Sequence, residues 1–413
     1  MKTIIALGGS IESLPILRRA RELGHRLVVV DGNEHAPGFE LADGRVVSSC
    51  YDAQETAGHL RLVLAGYHHA NYPDKTKLYD AVLCAATDAP YVAAAVAEAF
   101  GLPGLTVGQA ALGADKWEQK MKLRQCGITI PRFAAISNLD WVDLVWSDWP
   151  NAIIKPRDSR GARGVARLSD GVDRKGVIDQ ARAQSPTGRV MVEEWLDGPQ
   201  LSTESLVQDG KVLFTAVGLR NYSRLEEFAP YCIEDGFDSP HDRELGSFGI
   251  YDLIERACRA LDWYQTGGGV VKGDLVIHNG QLYVIELAPR LSGGLFCAAH
   301  ELAYGVDFIG MAINMALGYT VEAPRPRPRQ FVSQRYIFPS PDDIGKRIKY
   351  LSQPPIWDAV FAHYSKPIGH VIAPVTSHAD RLGQALCVGA TPQEARERAE
   401  RAVSEMYNGM VVA

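Results

Sequence analysis

The chain carries no pair of cysteines at metal-ligand spacing. Its seven cysteines, at 50, 84, 126, 232, 258, 297 and 387, are odd in number and widely scattered. That argues against a disulfide framework or a thiolate zinc site and fits a reducing compartment. Cys84 and Cys258 sit in apolar runs and read as small buried hydrophobes. No run of 18 apolar residues occurs, so no membrane-spanning helix is expected. The first residues enter a strand pattern without a charged segment and an apolar segment before it, so no signal peptide is expected and the expected compartment is the cytoplasm. Excess charge of one sign is missing too. A net charge of -6 over 413 residues gives no electrostatic footprint for nucleic acid or an anionic membrane. The one basic run, 324–329, reads as an extended surface connection. Internal repeats are absent.

What is present is an ordinary globular composition, 46% hydrophobic and 22% charged, in a chain long enough for two or three domains. The first hundred residues alternate strand and helix. Thr3-Ile4-Ile5-Ala6-Leu7 is a short strand, 13–23 an amphipathic helix stopped by Gly24, and 26–30 a second strand closing at Asp31-Gly32. Residues 81–86 form another buried strand, and 90–100 an alanine-rich helix stopped by Gly101. Such alternation gives an open parallel α/β unit. A glycine turn with an acid about twenty residues on would also suit a nicotinamide cofactor. Here the turn reads Gly8-Gly9-Ser10-Ile11-Glu12-Ser13 and lacks the G-x-G-x-x-G pattern, so a tight strand-to-helix turn is the better reading.

The next segment offers cations that suit phosphates. Asp115, with Glu118 as capping-box partner, starts a helix over 115–126 that Gly127 ends. Lys155 interrupts the apolar strand Asn151-Ala152-Ile153-Ile154-Lys155-Pro156, and a lysine in such a run needs an anionic partner. Ser159-Arg160-Gly161-Ala162-Arg163-Gly164 follows at once and can turn backbone N–H groups and guanidinium groups onto phosphate oxygens. Taken alone, this loop is equally a glycine-rich hairpin tip. A strand over 190–194 breaks at Gly198-Pro199, and a hairpin turns around Asp209-Gly210.

The most informative stretch is 270–294, where Asn279-Gly280 separates two β-rich apolar runs. A two-residue loop would set Asp274 opposite Ile285 and send Glu286 to the other face. A three-residue loop, His278-Asn279-Gly280 with Gly280 left-handed in a bulge, sets Asp274 opposite Val284 and puts it on one face with Glu286. The expectation is the longer loop, with the carboxylates diagonal neighbours about 7 Å apart and able to share hard cations. The plainer alternative is a solvated hairpin face with Lys272 paired across to Glu286. Gly293-Gly294 then opens a helical stretch from Phe296, broken at Gly305-Val306-Asp307 and running on to Leu317, and a charged helix over 392–406 follows.

Lys116 in A-D-K-W-E, Lys155 in I-I-K-P, the Ser-Arg-Gly loop, V-E-E-W-L-D-G and the array of Asp274, Glu286 and Arg290 occur in an order that resembles the ATP-grasp ligases, over residues 1 to about 405. The resemblance implies an α/β (α+β overall) architecture. An open α/β domain over 1–112 precedes an ATP-grasp domain over 113–320, whose two antiparallel sheets sandwich the nucleotide. Within it a small lid subdomain runs to about 190 and a metal-binding subdomain from 191, and a C-terminal α+β segment over 321–413 packs on this core. The resemblance also implies roles. Lys116 and Lys155 contact the ATP phosphates beneath a loop of Ser159, Arg160, Gly161 and Gly164. Glu193 hydrogen-bonds the adenine amino group, the backbones of Glu194 and Leu196 flank Trp195 along the adenine edge, and Gln200 stands where relatives often carry a ribose-binding acid. Asp274 and Glu286 hold one or two Mg²⁺ ions, which Mn²⁺ could replace. Arg290 steadies an acyl phosphate and, with Lys155, is the expected catalytic pair.

The reaction so implied joins a carboxylate to an amine through an acyl phosphate, with ADP and phosphate released. Ala288 replaces the Asn that many members carry after the last metal carboxylate. Leu291-Ser292-Gly293-Gly294 stands where biotin carboxylases have Q-V-E-H, and looks more like the ligases that make dipeptides. Ser292, Gly293 and Gly294 beside Arg290 are expected to receive a substrate carboxylate, with Arg220, Arg224 and Arg335 as further candidates. His300 reads as a core histidine and His68-His69 as an exposed loop; the sequence names no general base. Small carboxylate and amine substrates are the expected partners, without nucleic acid or membrane, and a homodimer is left open. A nicotinamide oxidoreductase built on the first domain, or a non-catalytic nucleotide-binding protein, are the alternatives.

Overall fold

A computed structural model describes residues 1–67, 78–136, 149, 151–169, 171–241, 249–327, 330–354 and 359–413; His68-His69 lies outside these. The first domain is a parallel sheet of β1 (Thr3–Leu7), β2 (Arg26–Asp31), β3 (Gly44–Val47) and β4 (Ala81–Cys84), in the order β3-β2-β1-β4. Residues 4–7 of β1, all of β4 and the middle of β2 are apolar because helices cover both faces. Ile4 and Ala6 share a core with Ile16 and Leu17 of α1 (Leu14–Glu22). Ile5 and Leu7 share another with Leu60 of α2 (Ala53–Tyr67) and Val92 of α3 (Pro90–Phe100). At the end of β2, Asp31 accepts from Gly9 N–H at 2.7 Å and Asn33 N–H at 2.8 Å. One oxygen therefore holds the glycine turn and the other the loop after β2, the work of a structural residue.

After α4 (Val107–Ala111) and α5 (Lys116–Gln125) comes an antiparallel sheet of β5 (Phe133–Ala135), β6 (Ala152–Pro156), β7 (Ala166–Leu168) and β8 (Val190–Glu194), in the order β5-β8-β6-β7. Asp115 caps α5 through Trp117 N–H at 2.9 Å. The expected return bond from Glu118 is not made, because Arg157 takes its carboxylate at 3.1 Å. Strand β6 alternates as a half-covered strand should. Ala152 and Ile154 pack with Val177 and Ile178 of α6 (Arg174–Ala183), while Ile153 and Lys155 face the opposite side.

The third sheet has eight strands. It contains the hairpin of β9 (Gln200–Gln208) and β10 (Lys211–Asn221), then β11 (Gly236–Ser239), and after α7 (Ile250–Ala260) the hairpin of β12 (Gly268–His278) and β13 (Gln281–Ala288). Helices α8 (Phe296–Tyr304) and α9 (Phe308–Ala316), bent 120° apart at the expected break, lead to β14 (Phe331–Ile337). Past β15 (Ile348–Leu351), strands β16 (Ala359–Tyr364) and β17 (Gly383–Gly389) complete the order β13-β12-β9-β10-β11-β14-β17-β16. Helix α10 (Pro392–Asn408) and β18 (Met410–Val412), paired with β15, follow. Three strands beyond residue 320 thus continue the sheet begun at β9. Among the described residues no single helix is long and apolar enough to cross a membrane.

The β12–β13 turn corrects the expected loop. Asn279 and Gly280 are both left-handed, with φ of 49° and 74°, and His278 pairs with Gln281, so the loop has two residues. That register alone would bury Glu286. A bulge rescues it: Leu275 pairs with Val284, Asp274 pairs directly with Glu286, and Ile285 is left without a partner across the ladder. Lys272 falls opposite Ala288 rather than Glu286.

Candidate active site

A cleft of about 620 Å³ opens between the β5–β8 sheet and the β9–β12–β13 end of the large sheet. Tyr51 and Asp88 of the first domain and His378 and Arg381 of the last segment also line it. Of the residues expected to hold nucleotide, metal and substrate, all but Gly164 and the candidate arginines Arg224 and Arg335 line this cleft. Gly164 works underneath. Its φ is +70°, and a Cβ there would lie 2.9 Å from the Ala181 backbone, so its bare Cα lets the loop rest on α6.

Lys155 has the anionic partner its context demands. It is 5% exposed, and its Nζ donates to Glu193 Oε1 at 2.7 Å. Glu193, 2% exposed, has its other oxygen 2.6 Å from Nζ of Lys120, which in turn donates to the Ile285 carbonyl at 2.8 Å. Burial works against the Glu193 carboxylate, but Lys120 and Lys155 outweigh it and hold its pKa below the usual value. Burial, with repulsion from Lys155, pulls Lys120 down to about 8 despite Glu193. Both Glu193 oxygens face ammonium groups, and Oε2 is buried without a hydrogen-bond partner. Around the edge, Trp195 Nε1 donates to Asp197 at 2.8 Å, Glu194 takes a bidentate Arg132, and Gln200 Nε2 reaches the Leu196 carbonyl at 3.3 Å.

The loop over 159–164 is drawn down on the cleft. Lys116 Nζ donates to the Ser159 carbonyl at 2.6 Å, the Arg160 guanidinium lies 3.3 Å over the Tyr51 ring, and the Gly161 carbonyl accepts from His378 N–H at 3.2 Å. Gly161, left-handed at φ 63°, has open space beside it. Lys116, Arg160 and Arg163, all lining the cleft, fit a polyphosphate.

The two acids fit a divalent ion unequally. Glu286 lies 3.2 Å from Lys116 Nζ and remains a quarter exposed. That suits one Mg²⁺ carried in with phosphates, the usual arrangement for this ion. Burial opposes the Lys116 charge, yet Glu286 and Asp88 outweigh it and raise its pKa. Asp274 is already held: Oδ1 accepts from Arg220 Nη1 at 2.7 Å, and Oδ2 pairs with Lys272. Burial is outweighed by these cations, and the Asp274 pKa falls to about 2. An ion at Asp274 would share these oxygens with Arg220 and Lys272, and Ala288 contributes no ligand.

Other expectations meet engaged groups. Arg290 Nε donates to Asp88 at 2.9 Å, a partner the sequence did not single out. Gly294 N–H donates to Glu12 at 2.8 Å and Ser292 N–H to the fully buried Glu204 at 2.8 Å, so protein carboxylates already hold the glycine corner. Of the three candidate arginines only Arg220 lines the cleft, between Asp274 and Glu234. Arg224 pairs with Glu227, and Arg335 with Asp238 at 2.9 Å. His300 is a core residue bonded to Ser239 at 3.0 Å. Arg381 is a site cation that sequence reasoning missed, as is Lys366; Arg381 bonds the Glu234 carbonyl at 2.7 Å and lies 3.5 Å over Tyr336. The signal that could have found its loop is Ser377-His378-Ala379-Asp380, a capping box.

Comparison with known proteins agrees with this geometry. Residues 113–294 match the ATP-grasp domain family, and 358–406 match the L-amino acid ligase C-terminal domain 2. An uncharacterised protein of Sinorhizobium fredii is 24% identical over 315 residues, 74% of this chain and 63% of its own length. The D-alanine–D-alanine ligase of Aromatoleum aromaticum is 23% identical over 219 residues, 51% of this chain and 67% of that enzyme. The chain therefore spans about two thirds of the length of these relatives. The solved L-amino acid ligase of Bacillus licheniformis superimposes with a TM-score of 0.75 at 19% identity, covering 100% of this chain and 98% of that one, a likeness of fold. The chain thus carries an ATP-grasp domain over 113–294 and, behind it, an L-amino acid ligase C-terminal domain over 358–406.

Proposed function

We propose that the protein is an ATP-dependent carboxylate–amine ligase that forms an amide through an acyl phosphate, releasing ADP and phosphate, with an amino acid among its substrates. The observation that carries this reading is the convergence of Lys116, Lys155, Glu286 and Arg290 on one cleft beneath an arginine-bearing loop. Phosphoryl transfer asks a protein for positioning and charge neutralisation more than for covalent help. Lys116 and the loop arginines would grip the phosphates, and the Glu194 and Leu196 backbones the adenine edge. Glu286 would hold Mg²⁺, which supplies Lewis-acid neutralisation of phosphate charge when bound. Arg290, its Nε fixed by Asp88, keeps guanidinium N–H groups for the oxyanion that forms on attack. The amino-acid substrate is supported by the C-terminal domain and by the substrate-side wall that this domain lends to the cleft.

The test is ADP release from the full chain against a panel of amino-acid pairs, with amide product identified by mass. ADP release that needs both a carboxylate and an amine supports the reading. Reduction of a nicotinamide cofactor, or nucleotide binding with no turnover on any pair, would overturn it. The oxidoreductase alternative gains nothing from Asp31, whose oxygens are both bound within the first domain.

A further inference from the structure

A carboxylate–amine ligase needs a proton acceptor for its amine, and most acids lining the cleft are committed elsewhere. Asp88 pairs with Arg290, Glu12 accepts from Gly294 N–H, Glu234 lies between Arg220 and Arg381, and Asp274 between Arg220 and Lys272. Among the described residues, one cleft-lining imidazole has a ring nitrogen closed to solvent and without a hydrogen-bond partner: Nε2 of His378. Resting on the ligase reading above, we propose that His378 Nε2 accepts the proton of the attacking amine.

The loop that carries His378 is fixed in place. Asp380 accepts from Thr376 N–H at 2.9 Å and Ser377 N–H at 2.8 Å, and Ser377 Oγ accepts from Ala379 N–H at 3.3 Å. The His378 N–H donates to the Gly161 carbonyl, so drawing down the phosphate loop and presenting the imidazole are linked by one hydrogen bond. Burial, then the charges of Arg381, Arg220, Lys272 and Arg163, hold the ring in its neutral form, which keeps a lone pair available. Phosphate charge on these cations would offset their effect and strengthen the base once nucleotide is in place. In the step itself the ammonium gives one proton to Nε2, the freed nitrogen bonds to the acyl carbon, and the C–O bond to phosphate breaks with its electron pair leaving on phosphate, which takes the second proton of the nitrogen. The proton then leaves the imidazole for phosphate or solvent, so nothing is oxidised or reduced.

The experiment compares wild type with His378→Gln and His378→Asn in the full chain. Two nucleophiles are used: the amino acid giving most ADP in the wild type, and hydroxylamine, which is unprotonated at neutral pH and needs no base. The expected result is a fall of at least about a hundredfold in kcat for the amide, the scale of lost general-base catalysis, with KM for ATP within about twofold. Hydroxamate formation should stay near the wild-type rate in at least one variant. Amide and hydroxamate rates falling together in both variants would make His378 a structural residue and overturn the proposal, as would undiminished amide synthesis. Failure of the wild type to form hydroxamate would sink the ligase reading itself, and this proposal with it.

Discussion

Asp274 and Glu286 face each other directly across the β12–β13 ladder because Ile285 is squeezed out of register between Val284 and Glu286. Ile285 and Glu286 consequently both line the cleft, while Val284 and Leu287 keep the core side. Glu286 is the acid left accessible to an ion, so Glu286→Gln is expected to abolish turnover, with kcat down about a thousandfold or more and several kcal/mol of charge stabilisation lost. ADP release under saturating ATP checks this. Near-normal release would remove Glu286 from the chemistry.

The sequence showed where this hairpin reverses and that both acids share a face, but the reason it offered was wrong. An Asn-Gly pair specifies a turn locally. A bulge answers to distant partners, here Lys120, whose ammonium bonds the Ile285 carbonyl from α5. Lys155 was readable for the opposite reason. Burying a lone ammonium is costly enough to demand a counter-charge, and Glu193 supplies it from 38 residues away. The part played by residues beyond 320 was hidden, because β14 joins the large sheet by pairing with β11, nearly a hundred residues earlier. No local periodicity records such a pairing.

The cations around Asp274 have a consequence for acid stability. Its folded pKa of about 2 lies below the usual 3.8. Its stabilisation is therefore complete above pH 4 and is lost as pH falls through the folded value. The shift corresponds to about 2 kcal/mol. Asp274→Asn should lower unfolding free energy by about that amount at pH 7 and converge on the wild type near pH 2, as read by urea titration across pH. A constant difference at all pH values would refute the assignment.

Two loop glycines should respond differently. At both Gly161 and Gly164 a left-handed φ penalises any side chain by roughly 1–2 kcal/mol. Only at Gly164 would the new Cβ also strike backbone, 2.9 Å from Ala181 Cα. Gly164→Ala should therefore lift the loop off α6 and raise KM for ATP about tenfold or more. Gly161→Ala should change it by only a few-fold, and steady-state kinetics on the two variants decides the matter. Equal effects would mean that backbone conformation alone governs the loop.

Far from the chemistry, Glu301 on α8 accepts the Ile309 N–H at 2.7 Å, where α9 begins. Burial pushes its pKa up from 4.5 to about 7, with Asp307 adding to the rise and Arg19 opposing it. A carboxyl that stays protonated in the fold after it has ionised in the unfolded chain loses stability as pH rises between those two values. Above the upper one the full penalty, up to about 3 kcal/mol, persists. Glu301→Gln keeps an oxygen for Ile309 while removing the charge. It should match the wild type in urea unfolding at pH 4 and exceed it by up to about 3 kcal/mol at pH 8. A gap of the same size at both pH values would point to packing rather than ionisation, because a neutral contact has no reason to change with proton activity.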